Sequence, residues 1–265
     1  RSAFRKVLGI LAGGFVLLGI LAGTLYLNTY LDINQRRVRF RIAQEKYMKN
    51  DRVQIVSNRM VYKQSGNRLN VKSLLLLVNK SKQPIDSPIL YLNPGLGIVS
   101  LTSEGQELAY NREGHVVVMN RKMECGEELP LRVEYEGTID EAICYLELSD
   151  EEYHNTRMGV LPFSADPSGK MPKTRHELYS NGGRFAHVGN KYTILLPECL
   201  WYLSAVPPVN LQMPSMKDFD FTDYQLEVEG QEGKAVISQG CMERNEKGIS
   251  YSNAHPLPRL SLCIG

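Results

Sequence analysis

The chain has 265 residues, 43% hydrophobic and 23% charged, a balance that permits a packed core and excludes a mainly disordered chain. Its net charge of +2 is unevenly spread, with ten basic and three acidic side chains in residues 1–54 and 21 against 26 in residues 55–265. A basic start beside a mildly acidic remainder suits anionic lipid headgroups and gives no electrostatic reason to bind nucleic acid.

Val7 to Leu27 is a run of 21 residues without a charge. A helix rising about 1.5 Å per residue over that length crosses the roughly 30 Å hydrocarbon core of a bilayer. Arg1, Arg5 and Lys6 flank one end, and Tyr26 and Tyr30 supply amphipathic rings at the other. A cleaved signal peptide is the rival reading, but the run exceeds a usual signal core and no small-x-small cleavage site comes after it. Residues 1–28 are therefore expected to form a retained transmembrane helix. Within it Leu-Gly-Ile-Leu-Ala-Gly occurs at 8–13 and again at 18–23, so Gly9/Gly13 and Gly19/Gly23 form two small-xxx-small ridges. Ten residues at about 100° each set the ridges roughly 80° apart, which suits a bundle of several helices; the plainer reading is that glycine is common in membrane helices. The tight basic flank before Val7 places Arg1 in the cytoplasm and the large domain beyond the helix outside it, since a domain of that size is exported largely regardless of its charge.

Residues 29–49 mix Tyr30, Leu31, Ile33, Val38, Phe40, Ile42 and Tyr47 with Arg36, Arg37, Arg39 and Arg41. This is the composition of a short basic juxtamembrane helix lying near the interface.

Beyond residue 50 the period shortens to two, most clearly in Leu131-Arg132-Val133-Glu134-Tyr135-Glu136. Further strands are expected at 74–78, 89–92, 115–119, 143–148, 192–196, 224–228 and 234–237, separated by turns such as Asn93-Pro94-Gly95 and Glu229-Gly230. The fold class is mainly β, an antiparallel sandwich or saddle over residues 50–265 preceded by one transmembrane helix, with a loop-rich excursion over 150–190. The five cysteines are widely spaced and odd in number, without a C-x-x-C pair, so buried free thiols in strands are favoured over a disulfide or metal role.

Leu76-Leu77-Val78-Asn79-Lys80, Pro84-Ile85, Leu92-Asn93-Pro94-Gly95-Leu96, Leu131 to Gly137 and Tyr192 to Tyr202 together resemble the N-terminal β domain of gluzincin (membrane alanyl) aminopeptidases. The chain is more closely similar to bacterial membrane proteins in which such a peptidase follows an ABC transporter permease, with Tyr26 to Leu31 at the junction. Arg1 and the apolar run ending at Gly265 then read as cuts through a longer protein. The resemblance implies that zinc belongs to a downstream catalytic domain, and no cofactor or metal is expected in this segment. A zincin needs His-Glu-x-x-His on a helix, whereas His176-Glu177-Leu178-Tyr179-Ser180 has serine at the second ligand position. Gly240-Cys241-Met242-Glu243-Arg244-Asn245 approaches the family's Gly-x-Met-Glu-Asn motif but carries an inserted arginine, and reads as a surface turn. Gly182-Gly183-Arg184 reads as a turn, His115 as a strand-end histidine, and His154, His187 and His255 lie too far apart for a local metal motif. No catalytic set is complete within these residues.

Glu198 is the one substrate-binding candidate, between Pro197 and the pair Trp201/Tyr202, where the resemblance brings the β domain to the active-site cleft. A carboxylate there meets a peptide α-amino group, or alternatively anchors its own loop. The expected role is a non-catalytic β domain that tethers a peptidase module in a bacterial inner membrane and forms one wall of its cleft. Its partners would be the bilayer, other permease helices, the downstream peptidase domain and peptides. The alternative is a membrane-anchored β-sandwich binding or assembly domain with no peptidase, contacting its partner through residues 150–190.

Overall fold

The computed structural model describes residues 2–48, 50–153, 185–211 and 218–265. One helix, α1 (Ser2–Tyr47), leads into a β domain. The two helical segments expected from the sequence are a single element, because no proline or glycine interrupts the chain between Leu27 and Tyr30 and the Thr29 hydroxyl donates back to the Leu25 carbonyl at 2.9 Å. Its apolar window has a mean hydropathy of 2.2 and none of it is buried, so α1 is long and apolar enough to cross a membrane.

The second half of α1 behaves differently. Tyr30, Ile33, Arg37, Phe40, Ala43, Gln44 and Tyr47 recur at helical spacing and face the β domain, with Arg37 and Gln44 fully buried. Residues 29–47 thus pack on protein, where the sequence suggested a helix lying on the membrane interface. The arginines find carbonyls and carboxylates instead of lipid: Arg37 donates to the Leu148 carbonyl and pairs with Asp150, and Arg41 donates to the same carbonyl at 2.7 Å. Arg36 pairs with Asp140 at 2.8 Å. Gln44 donates to the Val209 carbonyl, and its other amide atom lies 3.1 Å from Nε2 of His115. Burial, reinforced by the nearby Arg112 charge, pushes the His115 imidazole down to about 3, so it is neutral at ordinary pH. At the end of the helix Lys46 reaches Glu113 at 2.7 Å, and that hydrogen bond holds the Glu113 carboxyl below its usual range.

The β domain is built on an eight-stranded sheet. Its strands are β1 (Gln54–Ser65), β2 (Arg68–Val78), β4 (Leu96–Ser103), β5 (Gln106–Glu107), β8 (Glu128–Gly137), β11 (Asp223–Glu229), β13 (Cys241–Asn245) and β14 (Gly248–Ser252). They run in the order β13-β14-β11-β1-β2-β8-β4-β5, antiparallel except for the parallel pair β1–β11. Alternation drives the pairing: Met60, Tyr62, Leu69, Val71, Leu131, Val133 and Tyr135 all point to one face and are buried. Each such side chain contributes about 1.5–3 kcal/mol by leaving water. Two small sheets cover that face. One has β12 (Val236–Ser238), β15 (Leu262–Ile264), β10 (Thr193–Leu195) and β9 (Ala186–Val188) in that order, and the other has β3 (Ile89–Tyr91), β7 (Val116–Met119) and β6 (Tyr110–Glu113).

One expected strand is replaced. Residues 143–148 are not extended; Glu141–Tyr145 is a 3-10 helix, capped by the Asp140 carboxylate, which accepts from the Ala142 N–H at 2.9 Å. Conversely, 241–245 is not a turn but the outer strand β13 of a hairpin with β14. Most of the excursion expected over 150–190, with His154, His176, Ser180 and Gly182-Gly183-Arg184, lies outside the described residues.

Candidate functional site

Glu198 sits in a short 3-10 turn, Pro197–Cys199, that ends with Leu200 in a left-handed conformation at φ 52°. A branched residue in that region is strained and needs support from its surroundings. The support is Asn93, fully buried between β3 and β4. Its side-chain amide donates to the Cys199 carbonyl at 2.6 Å, and its backbone N–H donates to the Leu200 carbonyl at 2.9 Å. Its Oδ1 accepts from the Gly95 and Asp140 N–H groups, both at 2.9 Å. Gly95 is required at this junction, since a Cβ there would stand 2.0 Å from the Thr138 carbonyl oxygen. The Asn93-Pro94-Gly95 turn therefore pins the Glu198 loop and the Asp140 cap together.

Behind the loop, Trp201 is fully buried with its ring edge-on to Tyr62 and Tyr202, at centroid distances of 6.1 and 4.9 Å. The Tyr202 hydroxyl accepts from the Leu260 N–H at 3.0 Å and is held well above its usual acidity constant by burial. This ties the chain just after Arg259 to the chain just after Glu198. Arg259 and Glu198 themselves meet at 3.5 Å, with the Glu198 side chain 18% exposed. That contact is long for a direct hydrogen bond.

The pair lies in a narrow cleft walled by Pro197, Pro207, Pro258 and Tyr224, with Asp218, Phe219 and Asp220 at its lip. It has about 50 Å³ of interior room, enough for a few waters or one small polar group. Burial raises the Asp220 carboxyl above its ordinary value, an effect the Arg52 charge partly offsets. Among the described residues, three carboxylates stand against Arg259 and the more distant Arg52, which lies 3.7 Å from Asp218, a balance that favours an ammonium group. Gln44 of α1 holds this wall from behind through Val209, next to Pro208 of the lining.

The other sequence candidates are scattered. Gly9, Gly13, Gly19 and Gly23 are exposed on α1, and a Cβ at any of them would meet nothing within 4 Å. His187 stacks on Tyr192 at 4.2 Å, and His115 is the buried histidine that joins β7 to α1. None of the five cysteines is in a disulfide: Cys144 and Cys199 are buried, Cys263 is half-buried, and Cys125 and Cys241 are exposed. The two buried thiols lie in the 3-10 turns rather than in strands, and burial pushes both thiols up, away from reactivity. Among the described residues no group of three or more His, Cys, Asp or Glu is placed to hold a metal ion. In the sequence, serine at position 180 interrupts the nearest zinc motif, which lies outside the described residues. Sequence reasoning missed Asn93 and Arg259 as parts of the site; the turn residues Asn93-Pro94-Gly95 were the available signal for the first, and Arg259 carried none.

Comparison with solved structures places this architecture. The fold is similar to part of two solved peptidases. Legionella pneumophila aminopeptidase A in complex with aspartic acid matches 83% of this chain and 22% of its own at 10% identity and a TM-score of 0.53. An M1 zinc metallopeptidase from Deinococcus radiodurans matches 81% of this chain and 42% of its own at 13% identity and a TM-score of 0.50. The chain thus spans less than half the length of either enzyme, and the likeness is one of fold. No family model and no curated relative matches the sequence.

Proposed function

We propose that this chain is the membrane-tethered, non-catalytic β domain of a zinc aminopeptidase-like protein and that it forms one wall of the substrate cleft. The acidic Glu198–Arg259 cleft carries this reading: a carboxylate at a cleft wall, on a loop pinned from three sides, is suited to receive a peptide's α-ammonium group. The aminopeptidase fold supports it, and so does α1, whose apolar half is built to cross a bilayer while its other half grips the domain. Zinc and the catalytic residues belong to a downstream domain in this proposal, and α1 is the last helix of a fused ABC transporter permease in a bacterial inner membrane. The sequence at residues 26–31 supports that fusion by its resemblance to such junctions. The β domain faces out of the cytoplasm, as the basic flank before Val7 favours.

The test uses the full-length protein. Hydrolysis of amino-acid anilides should require zinc, and Glu198→Ala should raise KM about tenfold or more with little change in kcat. Unchanged KM in that variant would remove Glu198 from the cleft wall. A downstream reading frame without His-Glu-x-x-His would overturn the peptidase reading itself and favour a binding or assembly domain. The exposed native thiol of Cys241 reports orientation: reaction with a membrane-impermeant reagent only after lysis would place the domain in the cytoplasm.

A further inference from the structure

The face of the eight-stranded sheet turned away from the core forms a hollow with about 620 Å³ of room, a volume in the range of ligand pockets. Strand register writes two rows across its floor. In one, Arg59 on β1, Leu74 on β2 and Arg132 on β8 stand side by side. In the other, two residues further along the strands, Glu227 on β11, Ser250 on β14 and Glu243 on β13 do the same. Each row places two like charges on either side of a neutral residue, two strand intervals apart.

The charges around these rows are mutually satisfied: Lys72 pairs with Glu134 at 3.4 Å and Lys63 with Glu229 at 2.5 Å. Among the described residues, neither Arg59 nor Arg132 meets a carboxylate within 4 Å, and neither Glu227 nor Glu243 meets a cation. The one hydrogen bond to either carboxylate is a long one, 3.5 Å from Asn245 to Glu227. The sheet therefore presents a two-arginine corner around exposed Leu74 and a two-glutamate corner around Ser250.

We propose that this hollow is a binding site for a short peptide with free ends. The peptide's carboxylate lies over Leu74 between the two guanidinium groups, and its ammonium group lies over Ser250 between the two carboxylates. Spacing sets the length. Leu74 and Ser250 are three strand intervals apart, about 14 Å, and are offset by two residues, about 7 Å, so the corners are about 16 Å apart. An extended peptide of roughly five residues spans that distance. A dipeptide seated over Leu74 stops short of Ser250 and so cannot meet all four charges, and a long chain leaves its termini outside. Val61 and Gln225 lie between the corners and offer the peptide one apolar and one hydrogen-bonding surface. The site shares no residue with the Glu198 cleft, so it goes beyond the cleft-wall reading and does not depend on it.

The probe is pentaalanine, titrated calorimetrically into the full chain held in detergent micelles. The free peptide should saturate, and N-acetylated, C-amidated and dialanine analogues should bind at least tenfold more weakly. Arg59→Gln with Arg132→Gln should weaken the free peptide at least tenfold and erase the difference between acid and amide, while the penalty for acetylation remains. Glu227→Gln with Glu243→Gln should do the reverse. All four side chains are on the solvent side of the sheet, and an unchanged circular dichroism melt will show that the variants fold. Glu198→Gln should leave these affinities as they are, so that failure here and failure of the cleft reading are separable. Absence of saturation at millimolar peptide, equal binding of the doubly capped peptide, or unchanged affinity in both double variants would overturn the proposal.

Discussion

Truncating Arg37 to alanine is expected to release the second half of α1 from the β domain. The side chain is fully buried, donates to the Leu148 carbonyl and to Asn34 Oδ1 at 3.0 and 3.2 Å, pairs with Asp150, and lies 4.9 Å from the Tyr153 ring. A hydrogen bond from a charged donor is worth about 1.5–3 kcal/mol, and a partly desolvated cation over an aromatic ring about 1 kcal/mol. The Asp150 side chain is 78% exposed, so water replaces its partner and its share is under about 1 kcal/mol. Desolvation of the guanidinium opposes these terms, and the net loss on truncation is about 3–4 kcal/mol. Docking would then open about 100- to 1000-fold more often, since each 1.4 kcal/mol is a factor of ten. Amide hydrogen exchange over residues 37–47 reads this directly: protection in that segment should fall by two to three orders of magnitude while β1, β2 and β8 keep theirs. Arg37→Met keeps the apolar stem and loses the charge, and should cost about 2 kcal/mol, mostly the lost charged hydrogen bonds, since Arg41 still donates to the Leu148 carbonyl. Exchange in Arg37→Ala within twofold of the parent would refute the assignment of Arg37 as the clamp.

Gly114 adopts φ +60°, and a Cβ there would stand 2.9 Å from the Phe40 ring, so Gly114→Ala should destabilise the docked helix by about 1–3 kcal/mol, read as a lower thermal midpoint. His115 titrates at about 3 when folded and near 6.5 when unfolded, so its stabilising contribution is complete above pH 6.5 and is lost as the pH falls toward 3. Between pH 6.5 and 5 that amounts to about 2 kcal/mol, and urea melts of the parent should lose about that much more than melts of His115→Gln over the same interval. Gly13→Leu or Gly19→Leu should disturb assembly of the parent protein by blocking close helix approach, with normal assembly of both variants reducing α1 to a simple anchor.

Much of the fold was legible because burial is written in period two. In β8 every second residue from Leu129 to Gly137 is buried, and the alternation identified the strand directly. Residues 143–148 misled because Ile143, Cys144, Leu146 and Leu148 form a short apolar run that is buried whether helical or extended. The distinguishing feature was Asp140, whose carboxylate caps the turn. The arginines of residues 36–41 were read as facing lipid because composition does not say which surface a helix stripe will meet. Their partners, Leu148, Asp150 and Asp140, lie about a hundred residues away. Glu198 stood out by its neighbours, yet its meaning depended on Arg259 and Asn93, which only the tertiary fold brings near it.

The absence of any break in α1 has a geometric consequence. A flexible linker would let the β domain swing freely above a bilayer, but an unbroken helix fixes both its height and its compass bearing. From Leu27 to Tyr47 the helix rises about 30 Å, which sets how far above the apolar span the Glu113 and Val209 end of the domain stands. One residue inserted between Leu27 and Tyr30 would lift the domain by only about 1.5 Å but turn it through about 100°, carrying the Glu198 cleft to another side of the helix axis. Seven inserted residues would return it to within about 20° of its original bearing, roughly 10 Å higher. Helix phase, more than reach, then governs the direction in which the cleft faces.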